Sequence, residues 1–274
     1  MNLVWASLII AAATGAAVAA ILLVRRRAPD GSYFHDGDRA AGVFGVIATG
    51  FFLLLGFIIF LAFSSYDQSR NGAETEALVV VQQFETAQFM PPPISGPLAG
   101  ELVCYGRSVV HDEWPRMEAG GRSNSINPWA LALFRTLKSA KPATASEEAA
   151  YSKWLDQTSD REEARRDRIH GADGIIPGPL WLVLFFSAAL IVVFMLFFAD
   201  SGERAVVQAL QIGSVVAVIA ASLLVLRALD TPFHEGFGGL RPAAMERNLR
   251  IVGEAMRAVG MRGPLPCDAR GAAR

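Results

Sequence analysis

Two short stretches of this chain hold side chains that could do chemistry. His35-Asp36-Gly37-Asp38 and His111-Asp112-Glu113 each set an imidazole beside carboxylates, the groups that ligate metal ions or move protons. Neither has a matching second cluster elsewhere in the sequence. The first reads as a polar turn. In the second, Glu113 reads as a hydrogen-bonding partner within its own region, and the following Trp114 as an anchor of helix packing. The chain has four histidines, and none lies in an apolar run. It contains no phosphate loop, no Gly-x-Ser-x-Gly elbow and no His-Glu-x-x-His pair. The expectation is no catalytic residue, no metal site, no cofactor and no enzyme activity. Cys104 and Cys267 are too few for a disulfide framework. They read as free thiols, with pairing open to them if their segments share an oxidising side.

The elements around these residues explain why chemistry is scarce. Mean hydropathy is +0.34, and 52% of the 274 residues are apolar against 19% charged. The apolar residues gather in four uncharged runs, Leu3 to Val24, Ala41 to Phe63, Leu180 to Ala199 and Ala205 to Leu226. Each reaches the roughly 20 residues a helix needs to cross a bilayer. An unpaired charge at mid-bilayer would cost about 3 kcal/mol or more, so their absence points the same way. The first run ends on Arg25-Arg26-Arg27 and has no basic residue before it, so it reads as a retained anchor and not a signal peptide. A net charge of −1 offers no concentrated positive surface for nucleic acid.

The fold class is therefore an all-α integral membrane protein with four transmembrane helices in two pairs around a helical extramembrane insert. The expected division is a transmembrane pair in 1–63, the insert in 64–176, a transmembrane hairpin in 177–227 and an amphipathic tail in 228–274. Asp200 to Arg204 is short enough to force the last two spans antiparallel. Within the insert, Leu78, Val81 and Phe84 share a helix face that Met90-Pro91-Pro92-Pro93 ends. Leu102, Tyr105 and Val109 mark a second helix, stopping near Trp114-Pro115. Asn127-Pro128 begins a third as cap and first turn. Ser146-Glu147-Glu148 begins a fourth, running towards Ile169. In the tail, Met245, Leu249, Val252, Met256 and Val259 form an apolar stripe suited to packing on protein.

The charges give two readings of orientation. The loop after the first span carries Arg25, Arg26, Arg27 and Arg39, and short basic loops stay in the cytoplasm, which would put the insert outside. Counting every Lys and Arg, however, places 20 of 25 in the insert and in the stretch from Arg227 onward.

Several motifs in order resemble the bestrophin-like family, in its DUF4239 branch. The second span contains Leu55-Gly56-Phe57 and leaves through Tyr66-Asp67, followed by Arg70 and Glu76-Ala77. The insert carries Glu113-Trp114-Pro115 and Met117, and Asp230-Thr231-Pro232-Phe233 follows the last span. The order holds from about Ala41 to Ala244. The resemblance implies a homo-oligomeric anion (chloride) channel in the lipid bilayer, with the second span lining the pore. Matching on Leu-Gly-Phe puts Thr49, Leu53 and Phe57 at its apolar neck; matching on Tyr-Asp moves the neck one turn, to Phe60. Tyr66, Asp67, Glu113, Trp114, Asp230, Pro232 and Phe233 become structural or coupling residues. The resemblance also implies a multi-pass protein of the cell (inner) membrane with insert and tail cytoplasmic. His234-Glu235-Gly236-Phe237 replaces the family's acidic run, so calcium binding is not carried over. The alternative is a non-conducting membrane scaffold or sensor whose insert binds a partner.

Overall fold

The computed structural model describes residues 3–121, 126–236, 238–261 and 263–274. Phe237, quoted above, lies outside them. Among the described residues the regular structure is helical: α1 (Leu3–Arg25), α2 (Gly37–Ala87), α3 (Pro92–Ser108), a π-helical turn (Val109–Glu113), α4 (Trp114–Glu118), α5 (Pro128–Lys138), α6 (Ala145–His170), α7 (Gly178–Phe197), α8 (Ala205–Asp230) and α9 (Ala243–Ala258). The chain divides into two compact units. One comprises Met1–Ser64, Ile175–Asp230 and Gly236–Gly238. The other comprises Ser65–Gly174, Thr231–Glu235 and Gly239–Arg274. The 51-residue helix α2 contributes to both.

The first unit is the membrane unit. It holds α1, the N-terminal part of α2, α7 and α8, and all four helices are long and apolar enough to cross a bilayer. Their apolar surface runs all round, as a lipid solvent demands. Phe51, Leu55, Ile58 and Ala62 of α2 are buried with Leu184, Ala188 and Ile191 of α7 and Ile219 and Leu226 of α8. A second cluster joins α1 to α8 through Ala17, Ile21, Ile212 and Val216. There Gly213 lets the helices approach: a Cβ on it would meet the Val18 side chain at 3.3 Å. The loop from α1 to α2 is tied to the loop from α7 to α8. Arg25 Nη2 donates to the Ser201 carbonyl at 2.9 Å, and Gly31 N–H donates to Asp200 Oδ1 at 3.1 Å. The His35-Asp36-Gly37-Asp38 stretch is the polar turn its sequence suggested. Asp36 Oδ1 accepts the Arg39 N–H at 3.0 Å and so caps the start of α2.

The second, extramembrane unit packs the C-terminal part of α2, α3 to α6 and α9 around one core centred on Leu98, Leu102, Tyr105, Trp114, Leu133 and Trp154. Asn127 caps α5 by accepting the Trp129 N–H. The cap of α6 is Thr144, two residues before the expected start, because Thr144 and Glu147 complete a capping box. The second insert helix does not stop at Trp114-Pro115. Pro115 has no amide to donate and crowds the carbonyl four residues back, and the chain passes it through the π turn into α4. Four of the five stripe residues pack on protein: Met245 and Val252 are buried, and Leu249 and Met256 lie against the same core, while Val259, at the C-cap of α9, is exposed.

The cysteine expectation is corrected as well. Cys104 and Cys267 are not free; they form a disulfide across 163 residues of sequence. The last ten residues fold back along α3, which brings Cys267 to Cys104, and no local pattern in the sequence signals that return.

Candidate functional site

The candidate pore residues lie along one side of α2. Within this chain Leu53 is 71%, Phe57 61% and Phe60 64% exposed, and Val46 is 76% exposed. Thr49 is exposed on the same side. The opposite side carries the buried Phe51, Leu55, Ile58 and Ala62. Helical spacing of three and four residues keeps the two sets apart. Gly42, Gly45, Gly50 and Gly56 fall on or beside the exposed face, and a Cβ on any of them would meet nothing of this chain within 4 Å. Arg39 sits one heptad before Val46, in the first turn of α2, and is exposed.

The coupling candidates Glu113 and Trp114 belong to a buried ion cluster in the extramembrane unit. Arg168, on α6, is fully buried. Its Nη2 donates to Glu113 Oε2 at 2.6 Å and to Glu76 Oε1 at 3.2 Å, and its Nε donates to Glu76 Oε2. Arg165 adds a second cation to Glu113, with Nη2 3.2 Å from Oε1. Asn127 Nδ2 donates to Glu113 Oε1 at 2.9 Å, and the Tyr105 hydroxyl donates to Glu76 Oε1 at 2.5 Å. Burial alone would raise the Glu113 carboxyl. Arg168 and Arg165 outweigh it and hold the group below the usual carboxylate range. Burial works against the Arg168 charge as well, but Glu76 and Glu113 more than offset it. Burial, then the Glu76 charge, pushes the Tyr105 hydroxyl well up, so it stays a donor. Trp114 meets Phe233 edge to face at 5.4 Å, and the Arg168 guanidinium lies 5.8 Å from the Trp114 ring centre. Each charge in this cluster already has a partner of opposite sign, which makes it a clamp between helices.

The remaining candidates are also placed. Tyr66 packs against the extramembrane core, and Asp67 Oδ2 accepts from Asn71 Nδ2 at 3.0 Å on the same helix. Pro232 lies against Gly171, where an added Cβ would meet its Cγ at 3.2 Å. Phe233 is buried beside Trp114. Asp230 holds the entry to α7. Its Oδ1 accepts the N–H groups of Ile175 and Ile176, at 2.8 and 2.9 Å, just before α7. The structure brings Glu113, Trp114 and Phe233 together; the α2 face stands apart from them in sequence and unit. Among the described residues no three metal-ligating side chains converge.

Sequence reasoning singled out Glu113 but missed its cationic partners Arg168 and Arg165 and the place of Glu76 beside them. The signal available was Arg161, Arg165 and Arg168 at spacings of four and three on α6, one cationic face of a strongly charged helix. Arg161 is likewise buried, donating to Gln83 Oε1 at 2.7 Å and lying 4.9 Å from the Tyr105 ring centre.

Four apolar spans joined to a helical extramembrane unit define a multi-helix integral membrane protein. A sequence model of the Bestrophin-like domain matches residues 9–245, and the chain belongs to the bestrophin-like family. That family consists of ion channels, not enzymes. A mutant of a bacterial bestrophin homolog from Klebsiella pneumoniae superposes with a TM-score of 0.69 at 14% identity, over 89% of this chain and 98% of that one. A second mutant of that homolog gives 0.66 at 15% identity, over 92% and 99%. A structure described only as a membrane protein mutant gives 0.67 at 14% identity, over 92% and 99%. No curated protein matches.

Proposed function

We propose that this protein is a homo-oligomeric channel for small anions, with the exposed face of α2 lining its axis. The observation that carries the reading is the glycine content of that face. Each glycine in a helix interior costs about 1 kcal/mol relative to alanine. Gly42, Gly45, Gly50 and Gly56 give nothing back within the chain, since space beside each is empty. Lipid gains nothing from them either, whereas close approach of neighbouring helices requires small residues. Copies of α2 packed about an axis would use them, leaving Thr49, Leu53, Phe57 and Phe60 at the constriction. A ring of such apolar side chains gates by dewetting. Arg39 on the same face would bring one positive charge per copy to the mouth, which favours anions.

The chain purified in detergent and reconstituted into liposomes should release chloride, and Phe57→Ala should raise the flux several-fold. A folded oligomer that passes no chloride, with no gain in Phe57→Ala, would leave a non-conducting scaffold as the answer. The membrane is that of the cell. A cytoplasmic insert and tail follow from the family arrangement and the 20-to-5 division of basic residues.

A further inference from the structure

We infer that Cys104 and Cys267 form a reversible thiol–disulfide couple, whose closed state docks the segment 263–274 on α3 and whose open state releases it. The inference rests on the cytoplasmic placement of the insert and tail, and it is independent of whether the protein conducts. A disulfide that forms in a reducing compartment is usually a transient or sensing one, because glutathione and thioredoxin keep other thiols reduced.

The first observation is the group beside the bridge. Both cysteines are fully buried while it is closed. Arg107, further along α3 from Cys104, sets its Nη1 3.9 Å from Cys267 Sγ, and the same nitrogen donates to the Asp268 carbonyl at 2.9 Å. A guanidinium beside a sulfur favours thiolate over thiol, and the thiolate is the form that attacks and leaves in exchange. Reduction is then a two-electron step supplied by two thiols of the glutathione class. As the segment lifts, the first thiolate attacks Cys267 Sγ; a mixed disulfide forms, and the Cys104 sulfur leaves and takes a proton. The second thiol gives its proton to solvent and attacks the glutathione sulfur, and Cys267 leaves as a thiolate beside Arg107. The products are the two reduced cysteines and one glutathione disulfide.

The second observation is how the segment is built and where it sits. The Asp268 carboxylate accepts the N–H groups of Arg270 and Ala272 at 2.8 and 2.9 Å, and the Arg274 N–H donates to the Pro266 carbonyl at 3.0 Å. These bonds are internal, so the loop can leave α3 as a unit. It docks through the Arg107 bond and through Trp129 Nε1, which donates to the Gly271 carbonyl at 2.6 Å. Gly271, with φ +86°, lies so close to α3 that a Cβ on it would sit 2.5 Å from the Ser108 nitrogen. A loop held by such contacts and one covalent tie opens far more readily once the tie is cut. Ser108 is the last residue of α3 before the π turn, a kind of irregularity frequent at functional positions. Asn127 Nδ2 reaches Ser108 Oγ at 3.4 Å and donates to Glu113 Oε1 at 2.9 Å. Through Ser108 and Asn127, the redox state of the couple reaches the Glu113–Arg168 clamp.

The test is a redox titration of the purified full chain in detergent, from oxidised to reduced glutathione, read by mass after acid quench and alkylation. The bridge should open in reduced glutathione without denaturant and close again in oxidised glutathione. Cys267 should be alkylated before Cys104. On opening, amide hydrogen exchange in 263–274 and 107–113 should quicken by about tenfold or more, while that of α8 stays unchanged. Cys104→Ser with Cys267→Ser should exchange fast in these segments in both buffers. A bridge that stays closed in reduced glutathione until the chain is denatured is a static tie and overturns the inference. So does a bridge that opens with no change of exchange in 263–274, or alkylation of Cys104 ahead of Cys267. A couple that cycles in the purified chain yet is closed in unstressed, acid-quenched cells would fault the cytoplasmic placement and not the couple.

Discussion

At the scale of single residues, the Glu113 carboxylate is the most consequential group outside the membrane. It is almost fully buried and neutralised by Arg168 and Arg165. Glu113→Gln keeps the shape and the Asn127 contact but leaves Arg168 short of one partner. Breaking a buried pair from one side costs about 3–5 kcal/mol. The extramembrane unit should melt markedly earlier, by circular dichroism of the detergent-solubilised full chain. The same group sets a pH dependence. Its folded-state pKa lies below the ordinary 4.5, so its stabilisation is complete above pH 4.5 and is lost as pH falls through the lowered folded value. Melting temperature should fall over that acid window in the native chain, and this component should be absent in Glu113→Gln. For permeation, Arg39→Glu replaces a cation in the first turn of α2 by an anion. If α2 lines the axis, chloride-to-sodium preference measured from reversal potentials should drop several-fold. An unchanged preference would remove Arg39 from the mouth.

At the scale of elements, two glycines on α2 make opposite predictions. Gly72 lies where α2 and α6 touch backbone to backbone: a Cβ there would sit 2.5 Å from the Arg168 nitrogen and 2.7 Å from the Ala164 carbonyl oxygen. Neither backbone atom can move aside alone. Gly72→Ala should therefore force the helices apart and cost about 1–3 kcal/mol or more, read as a lower midpoint of thermal unfolding. Gly56→Leu meets nothing within its own chain. It should leave helix content intact and disrupt assembly, seen as a shift to smaller species by light scattering in detergent. If Gly56→Leu assembles normally, the packing of α2 copies is not through this face.

At the scale of the whole molecule, the C-terminal segment is held by a covalent tie 163 residues from its partner. Removing a native bridge typically costs about 2–5 kcal/mol, and the chain-entropy account puts so long a loop at the upper end. Cys104→Ser with Cys267→Ser should lower the melting temperature of the extramembrane unit, and reductant should do the same to the native chain but not to the double variant.

Hydrophobicity alone determined that the chain is an all-helical membrane protein with four spans, because twenty uncharged residues in a row have few other uses. Local chemistry also carried the Asn127 cap and the α9 stripe, since caps and amphipathic faces are written over a few neighbouring residues. The ordered motifs carried the family. What they did not carry was any pairing over distance. Arg168 with Glu76 and Glu113, Asp230 with the N–H groups before α7, and Cys104 with Cys267 each join residues more than 50 positions apart. In sequence, Arg168 is one charge among many on a polar helix, and Cys267 is a lone thiol near the end. Only packing decides that the arginine is sealed from water between two carboxylates and that the thiol meets another. Burial turns a solvated charge into a clamp, and proximity turns two thiols into a bridge. Both depend on where the chain returns in space, which periodicity and composition do not encode.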